Sequence, residues 1–243
     1  MTAGPLARVD EGWSAALAIV AHPDDLEYGC AAAIAKWTSH GKNVAYCLVT
    51  RGEAGIDGLA PEQAGPLREQ EQLASAAIVG VQVVDFLGYN DGMLEYGLPM
   101  RRDIAAAVRK HRPQVVITGN FHDTWAPGVL NQADHIAVGR AVVDGVRDAA
   151  NRWVFRDLLA HGLAPWRGVR TVLVAGSPAA THGVDVTEDF ATGVQSLKAH
   201  SAYLAGLGSG PMSDPEEFLE STARVVGTRL SCTFGVAFEV IDF

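Results

Sequence analysis

Short apolar runs without a regular polar alternation recur along this chain, and stretches with helical spacing separate them. Ala16 to Ala21 (ALAIVA), Val44 to Thr50 (VAYCLVT), Val81 to Leu87, Gln114 to Thr118 (QVVIT) and Thr171 to Ala175 (TVLVA) read as strands. Gly29 to His40, Leu67 to Gly80, Arg101 to His111 and His135 to Arg152 read as helices, the last with Val138, Val142 and Val146 along one face. Gly80 closes one helix and Pro113 stops another. Strands buried on both faces belong to parallel sheets covered by helices. The expected architecture is therefore α/β, a mainly parallel sheet with helices on both faces. Gly235 to Ile241 reads as a further strand, and Glu53 to Gly65 and Gly206 to Glu216 as long loops. No repeat or linker divides the chain, so a single domain over residues 1–243 is expected, with its motif-bearing core at roughly 16–150.

Composition removes several classes. With 48% hydrophobic and 19% charged residues the chain is neither disordered nor a coiled coil. A net charge of −9 disfavours a phosphate backbone, so no nucleic-acid partner is expected. Cys30, Cys47 and Cys232 are too far apart for a zinc knuckle or a disulfide framework. The opening MTAGPLARVDEG lacks the basic and apolar blocks of a signal peptide, and no apolar run approaches the ~20 residues of a membrane span. A soluble, cytoplasmic protein without a membrane span is the expectation.

Ligands of such sheets bind beyond the carboxyl ends of the strands. The first strand-to-helix turn holds neither G-x-G-x-x-G nor a P-loop, but Ala21-His22-Pro23-Asp24-Asp25. Two carboxylates there would repel a pyrophosphate. His22 and Asp25 stand three apart around a tight turn and could converge on one point, and imidazole and carboxylate are ligands that Zn²⁺ accepts. Asp24, between them, could act as a general base on a water at the metal. Plain capping of the next helix by one aspartate is the bland alternative, but it leaves His-Pro and the second Asp unexplained. Asn131-Gln132-Ala133-Asp134-His135 opens a later helix at the same end of the sheet. His135 could complete a His/Asp/His set with open positions, and Asp134 could orient a ring or cap the helix.

Together these segments resemble the zinc-dependent de-N-acetylase superfamily, typified by N-acetylglucosaminyl-phosphatidylinositol de-N-acetylases and LmbE-like proteins and including the mycothiol and bacillithiol deacetylases. The family pattern is A-H-P-D-D followed near mid-chain by H-P-D-H or a variant. Thr50 to Gly55 (TRGEAG) resembles the family's T-R-G-E-x-G, Arg68 to Glu71 its R-x-x-E, and Asp91-Gly92 its D-G. The resemblance implies a Rossmann-like fold, His22, Asp25 and His135 as metal ligands, and Asp24 as general base. It implies a hydrolase that removes an N-acyl group, acetyl by default, from a sugar-like or natural-product amide. The cofactor implied is Zn²⁺, with Fe²⁺ also compatible with the ligand types. The partner implied is a small N-acylated molecule, and a homo-oligomer stays open. An amidase on a thiol conjugate, or a catalytically weakened binding protein on this fold, are the alternatives.

Three positions depart from the pattern. Gln132 stands where the family has the first His of H-P-D-H, Ala31-Ala32 where it has Gly-Gly, and His200-Ser201-Ala202-Tyr203 where it has H-x-S-Q. Gln132 is thus a weaker candidate for stabilising the oxyanion, and His122, beside Asp123 beyond the fourth strand, is a candidate replacement. Arg51, Arg68, Asp91 and Trp125 are candidate substrate-binding residues, Trp125 because an indole can stack on a sugar ring.

Overall fold

The computed structural model describes residues 4–208, 210 and 212–243. Its elements are, in order, β1 (Ala7–Arg8), β2 (Ala15–Val20), α1 (Asp25–Gly29), α2 (Ala31–Ser39), β3 (Asn43–Leu48), α3 (Pro61–Ile78), β4 (Val83–Phe86), α4 (Leu98–His111), β5 (Val115–Gly119), β6 (Thr124–Ala126), β7 (Val129–Leu130), α5 (Ala133–Ala150), α6 (Asp157–Ala160), β8 (Thr171–Ala175), β9 (His182–Asp185), α7 (Phe190–Lys198), α8 (Ser201–Gly206), α9 (Pro215–Leu230) and β10 (Gly235–Asp242).

The main sheet has eight strands in the order β1-β9-β10-β8-β5-β2-β3-β4, and β6 and β7 form a separate hairpin. Every neighbouring pair in the main sheet is parallel except those of β10, which runs antiparallel to both β8 and β9. The expected mainly parallel α/β sheet is thus present, and β10 is its antiparallel member. From β2 the chain winds through β3 and β4 in one direction and through β5 and β8 in the other. The reversal opens a crevice beyond the carboxyl end of β2, where such sheets bind ligands.

Alternation along β2 divides two cores. Ala16, Ala18 and Val20 belong to one with Trp37, Tyr46 and Ile117, while Leu17 and Ile19 belong to the other with Ile104, Val138 and Val142. Truncating a fully buried residue such as Ile19 to Ala costs about 2–5 kcal/mol in cores of this kind. Among the described residues no helix is long and apolar enough to cross a membrane.

Several boundaries differ from the sequence reading. The helix expected over Gly29 to His40 is α2, and a short helix not read from the sequence, α1, precedes it, the two meeting at Cys30. The loop expected over Glu53 to Gly65 ends early, because Pro61 starts α3 in its first turn. The expected loop from Gly206 to Glu216 includes residues 209 and 211, which lie outside the described residues, and it gives way to α9 at Pro215. There the Asp214 carboxylate caps the helix by accepting from the amides of Glu216 and Glu217 at 3.0 and 3.1 Å. Helices α7 and α9 and strand β9 were not read from the sequence.

Candidate metal centre and active site

The chain leaves β2 through His22-Pro23 and reaches Asp24 in a left-handed conformation, φ 81°. A non-glycine residue there is strained and persists only where its surroundings enforce it. Helix α3 provides the enforcement through a buried stripe of mostly polar side chains, Arg68, Glu71, Gln72 and Ser75. Gln72 Oε1 accepts from the Asp24 amide at 3.1 Å. The Arg68 guanidinium donates to the Asp24 carboxylate, to the Pro23 carbonyl at 2.8 Å and to the Gly52 carbonyl at 3.0 Å. Gly52 must be glycine twice over: its φ is positive, and a Cβ there would collide with Arg68.

His22, Asp25 and His135 offer three donor atoms within 4.8 Å of one another. Asp25 lies between the rings, with His135 Nε2 at 3.0 Å from Oδ1 and His22 Nδ1 at 3.7 Å from Oδ2. Each ring's other nitrogen has an acceptor of its own. His135 Nδ1 lies 3.1 Å from Asn131 Oδ1. His22 Nε2 lies 3.1 Å from Asp91 Oδ1 and 3.3 Å from Asp134 Oδ2. Acceptors behind the rings hold a proton on that nitrogen of each, so His22 Nδ1 and His135 Nε2 are the atoms that would face a cation once it displaces the proton between His22 and Asp25, as in metal-binding histidines. His22, Asp91 and Asp134 form a second cluster of suitable spacing. Its carboxylates are already engaged, however: Asp134 accepts from the amides of Gly92 and Leu94, and Asp91 from that of Ala54. They fit better as supports for His22 than as ligands.

The electrostatics follow from this crowding. Burial alone would lower the pKa of His22, but Asp25, and after it Asp134 and Asp91, push it up to about 12. Burial opposes the charge of Asp25 as well, yet His135 and His22 hold it well below the usual carboxylate range. Asp24 behaves oppositely. Its burial raises it to about 7 against the pull of Arg68. Two adjacent aspartates are thereby driven apart, one permanently charged and one poised near neutrality, the separation expected between a ligand and a general base.

Behind α1 lies a layer that the sequence reading did not assign. The Glu27 carboxylate accepts from Gln72 at 2.9 Å and Ser75 at 2.6 Å, and its Oε2 is 3.7 Å from Nε2 of the fully buried His200. Burial opposes charge on both groups, but each holds the other in its ionised form. Gln72 thus ties this pair to the Asp24 amide. Tyr203 stacks over the Arg68 guanidinium at 4.3 Å, filling the place where the family pattern has Gln. The signal available for this layer was the polar residues of α3 at i, i+3, i+4 and i+7, which carry no apolar periodicity.

The remaining candidates divide. Gln132 and Trp125 line the cavity around the cluster, the indole meeting the His135 ring edge-on at 5.7 Å. Arg68 and Asp91 border it too, but their hydrogen bonds hold Asp24 and His22. Arg51 lies outside it, its guanidinium 3.5 Å from Glu69. His122 is turned away, with Nε2 2.8 Å from Glu239 on β10, so the structure does not bring it to the cluster.

Fold and cluster define a class, an α/β protein with a His/Asp/His donor set and a neighbouring poised carboxylate at the carboxyl end of its sheet. The family model of PIG-L, GlcNAc-PI de-N-acetylase, matches residues 17–146, and the chain belongs to that family. It is 29% identical over 188 residues to a diacetylchitobiose deacetylase of Thermococcus kodakarensis, covering 76% of this chain and 68% of the relative. It is 31% identical over 137 residues to a probable N-acetyl-alpha-D-glucosaminyl L-malate deacetylase 2 of Bacillus anthracis, covering 54% of this chain and 58% of the relative. In fold it resembles the N,N'-diacetylchitobiose deacetylase of Pyrococcus horikoshii, with a TM-score of 0.84 and 24% identity over 96% of this chain and 85% of that one.

Proposed function

We propose that this chain is a metal-dependent N-deacetylase acting on an N-acetylated amino sugar or a related natural product. The observation that carries the reading is the pairing of the His22/Asp25/His135 donor set with the poised, strained carboxylate of Asp24. The donors suit Zn²⁺: two imidazoles and a carboxylate, with the rings oriented from behind. A divalent cation at these donors supplies Lewis acidity to the amide carbonyl and lowers the pKa of water from 15.7 toward about 7.

The protein's own groups do the rest. Asp24 accepts the proton of the attacking water and returns it to the departing amine, so amide and water become carboxylate and amine. Arg68, Gln72 and Tyr203 keep the Asp24 carboxylate aimed into the cavity. Gln132, at the start of α5, offers a neutral amide donor to the developing oxyanion, weaker than a protonated imidazole. Trp125 provides an apolar face at the cavity mouth for a sugar ring.

Amine release from N-acetylglucosamine and N,N'-diacetylchitobiose by zinc-loaded protein tests the reading, with chelated protein as control. Release that depends on zinc is expected. No release from either substrate, or equal release after chelation, would overturn it.

A further inference from the structure

The cavity around the cluster is larger than an acetyl group and a sugar ring require. Its volume is about 920 Å³, near the top of the ~300–1,000 Å³ range of small-molecule sites. Its two ends differ in chemistry. Arg68, Gln132 and Tyr203 border it near the cluster, together with the acidic groups already described. Past α1 it runs between α2, α7, α9 and β10, and the wall there is built from Cys30, Ala32, Phe190, Ala223, Val226 and Val236.

A sugar pushed into that inner arm would lose its hydrogen bonds to water and find few replacements, a costly exchange. The hydroxylated part of a substrate therefore belongs at the polar end. An acetyl methyl would fill little of the inner arm. Alkyl groups are what such walls accept, because each methylene transferred from water is favourable and none leaves a polar atom unpaired.

We propose that the inner arm binds a medium-length alkyl chain carried on the acyl side of the scissile amide, so that this enzyme hydrolyses longer N-acyl amines more efficiently than N-acetyl ones. The proposal rests on the reading of the cluster as an amide-hydrolysing site. The reaction is unchanged: water adds to the acyl carbon, the C–N bond breaks, the proton goes to the amine, and a fatty acid leaves in place of acetate. Full burial of a methylene corresponds to roughly a fourfold gain in binding.

The test compares N-acetyl-, N-butanoyl-, N-hexanoyl- and N-octanoylglucosamine with octyl N-acetylglucosaminide on zinc-loaded protein. The proposal expects kcat/KM to rise roughly two- to fourfold per methylene along the N-acyl series up to hexanoyl. It expects little gain from the octyl glycoside. Acetyl remaining the best acyl group would overturn it. A gain confined to the octyl glycoside would also overturn it, since the alkyl chain would then sit on the amine side. Val236→Phe, which narrows the arm, should lower the octanoyl-to-acetyl ratio of kcat/KM at least tenfold. Ala223→Leu serves where the first variant does not fold, and an unchanged ratio in a folded variant counts against the proposal. Calorimetry with octanoate and acetate judges the arm without turnover. Octanoate binding at least tenfold tighter than acetate, with the difference lost in Val236→Phe, supports the arm, and equal binding overturns it. Release from none of the substrates would overturn the hydrolase reading itself, whatever the calorimetry shows.

Discussion

The Arg68 guanidinium holds the Asp24 carboxylate and the Pro23 carbonyl at once, fixing the general-base candidate and the backbone beside His22 from a single side chain on α3. A planar fork suits this double task and an ammonium does not. Arg68 also opposes the effect of burial on Asp24, whose pKa stands at about 7.

Replacing Arg68 by Met therefore has a definite sign. Loss of the cation removes a lowering influence, so the acid limb of the pH profile of kcat/KM moves to higher pH. A bound cation lowers that limb in both proteins without reversing the difference. The rate should fall about 10²-fold, the scale of misplaced acid–base catalysis. Leaving Asp24 buried without its partner should also cost about 3–5 kcal/mol of stability. An acid limb that stays in place would show that Arg68 does not act through Asp24.

Metal binding should be linked to protons. His22 is protonated in the metal-free protein, because Asp25, Asp134 and Asp91 outweigh its burial and raise it to about 12. A cation must displace that proton. Zinc affinity should then rise about tenfold per pH unit between about pH 6 and 8 if a single proton is released. Calorimetry in buffers of different ionisation enthalpy measures that release directly. Affinity independent of pH would show that His22 binds no displaceable proton.

The same groups shape the stability of the metal-free protein. A histidine held above its unfolded value of about 6.5 adds stability that is complete below that value and lost as pH rises through its folded pKa. Asp25, Asp91 and Asp134 are held below the unfolded value of about 3.9, so their contribution is complete above it and lost as pH falls through their folded values. Asp24, raised to about 7, contributes stability that is complete below its unfolded value of about 3.9 and is lost as pH rises from there through about 7. The chelated protein should therefore be most stable near about pH 4–5 and weaken as pH rises further, first through Asp24 and then through His22. Urea midpoints across about pH 3–9 check this, and a midpoint that rises between about pH 5 and 8 would contradict it.

His122→Ala should leave kcat/KM within about twofold, since surface substitutions away from a site change little. The imidazole faces Glu239 and not the cluster. Its pH profile should match that of the parent. A loss of tenfold or more, or a missing limb, would return His122 to the mechanism.

The legible part of this molecule was the part with strong local signals. The apolar runs around Ala16 to Ala21 and Thr171 to Ala175 marked central strands because burial on both faces leaves no polar alternation. His22-Pro23-Asp24-Asp25 and Asp134-His135 were visible as neighbours at one end of the sheet because both follow strands that end there. Helix α3 was cut short because its buried face is Arg68, Glu71, Gln72 and Ser75, which looks like a solvated surface in a linear reading. The contact of Asp91 with His22 was hidden for a related reason. The two are remote in sequence, so nothing local marked Asp91 as an acceptor for that ring. His200 belonged to a poorly matched C-terminal motif, and only the packing of α8 against α3 shows it beside Glu27.

The central claim is that one cation held by His22, Asp25 and His135 makes the site active. Its most direct test is a zinc titration of chelated protein, with bound metal read by elemental analysis and amine release read in the same samples. In the parent protein, activity should rise in proportion to bound zinc and level off at one equivalent per chain. In folded His135→Ala both should be largely lost, while in Asp24→Asn zinc should still bind and the rate should fall about 10²–10⁴-fold. Stoichiometric, tightly held zinc in His135→Ala, or full activity in the chelated parent, would contradict the account.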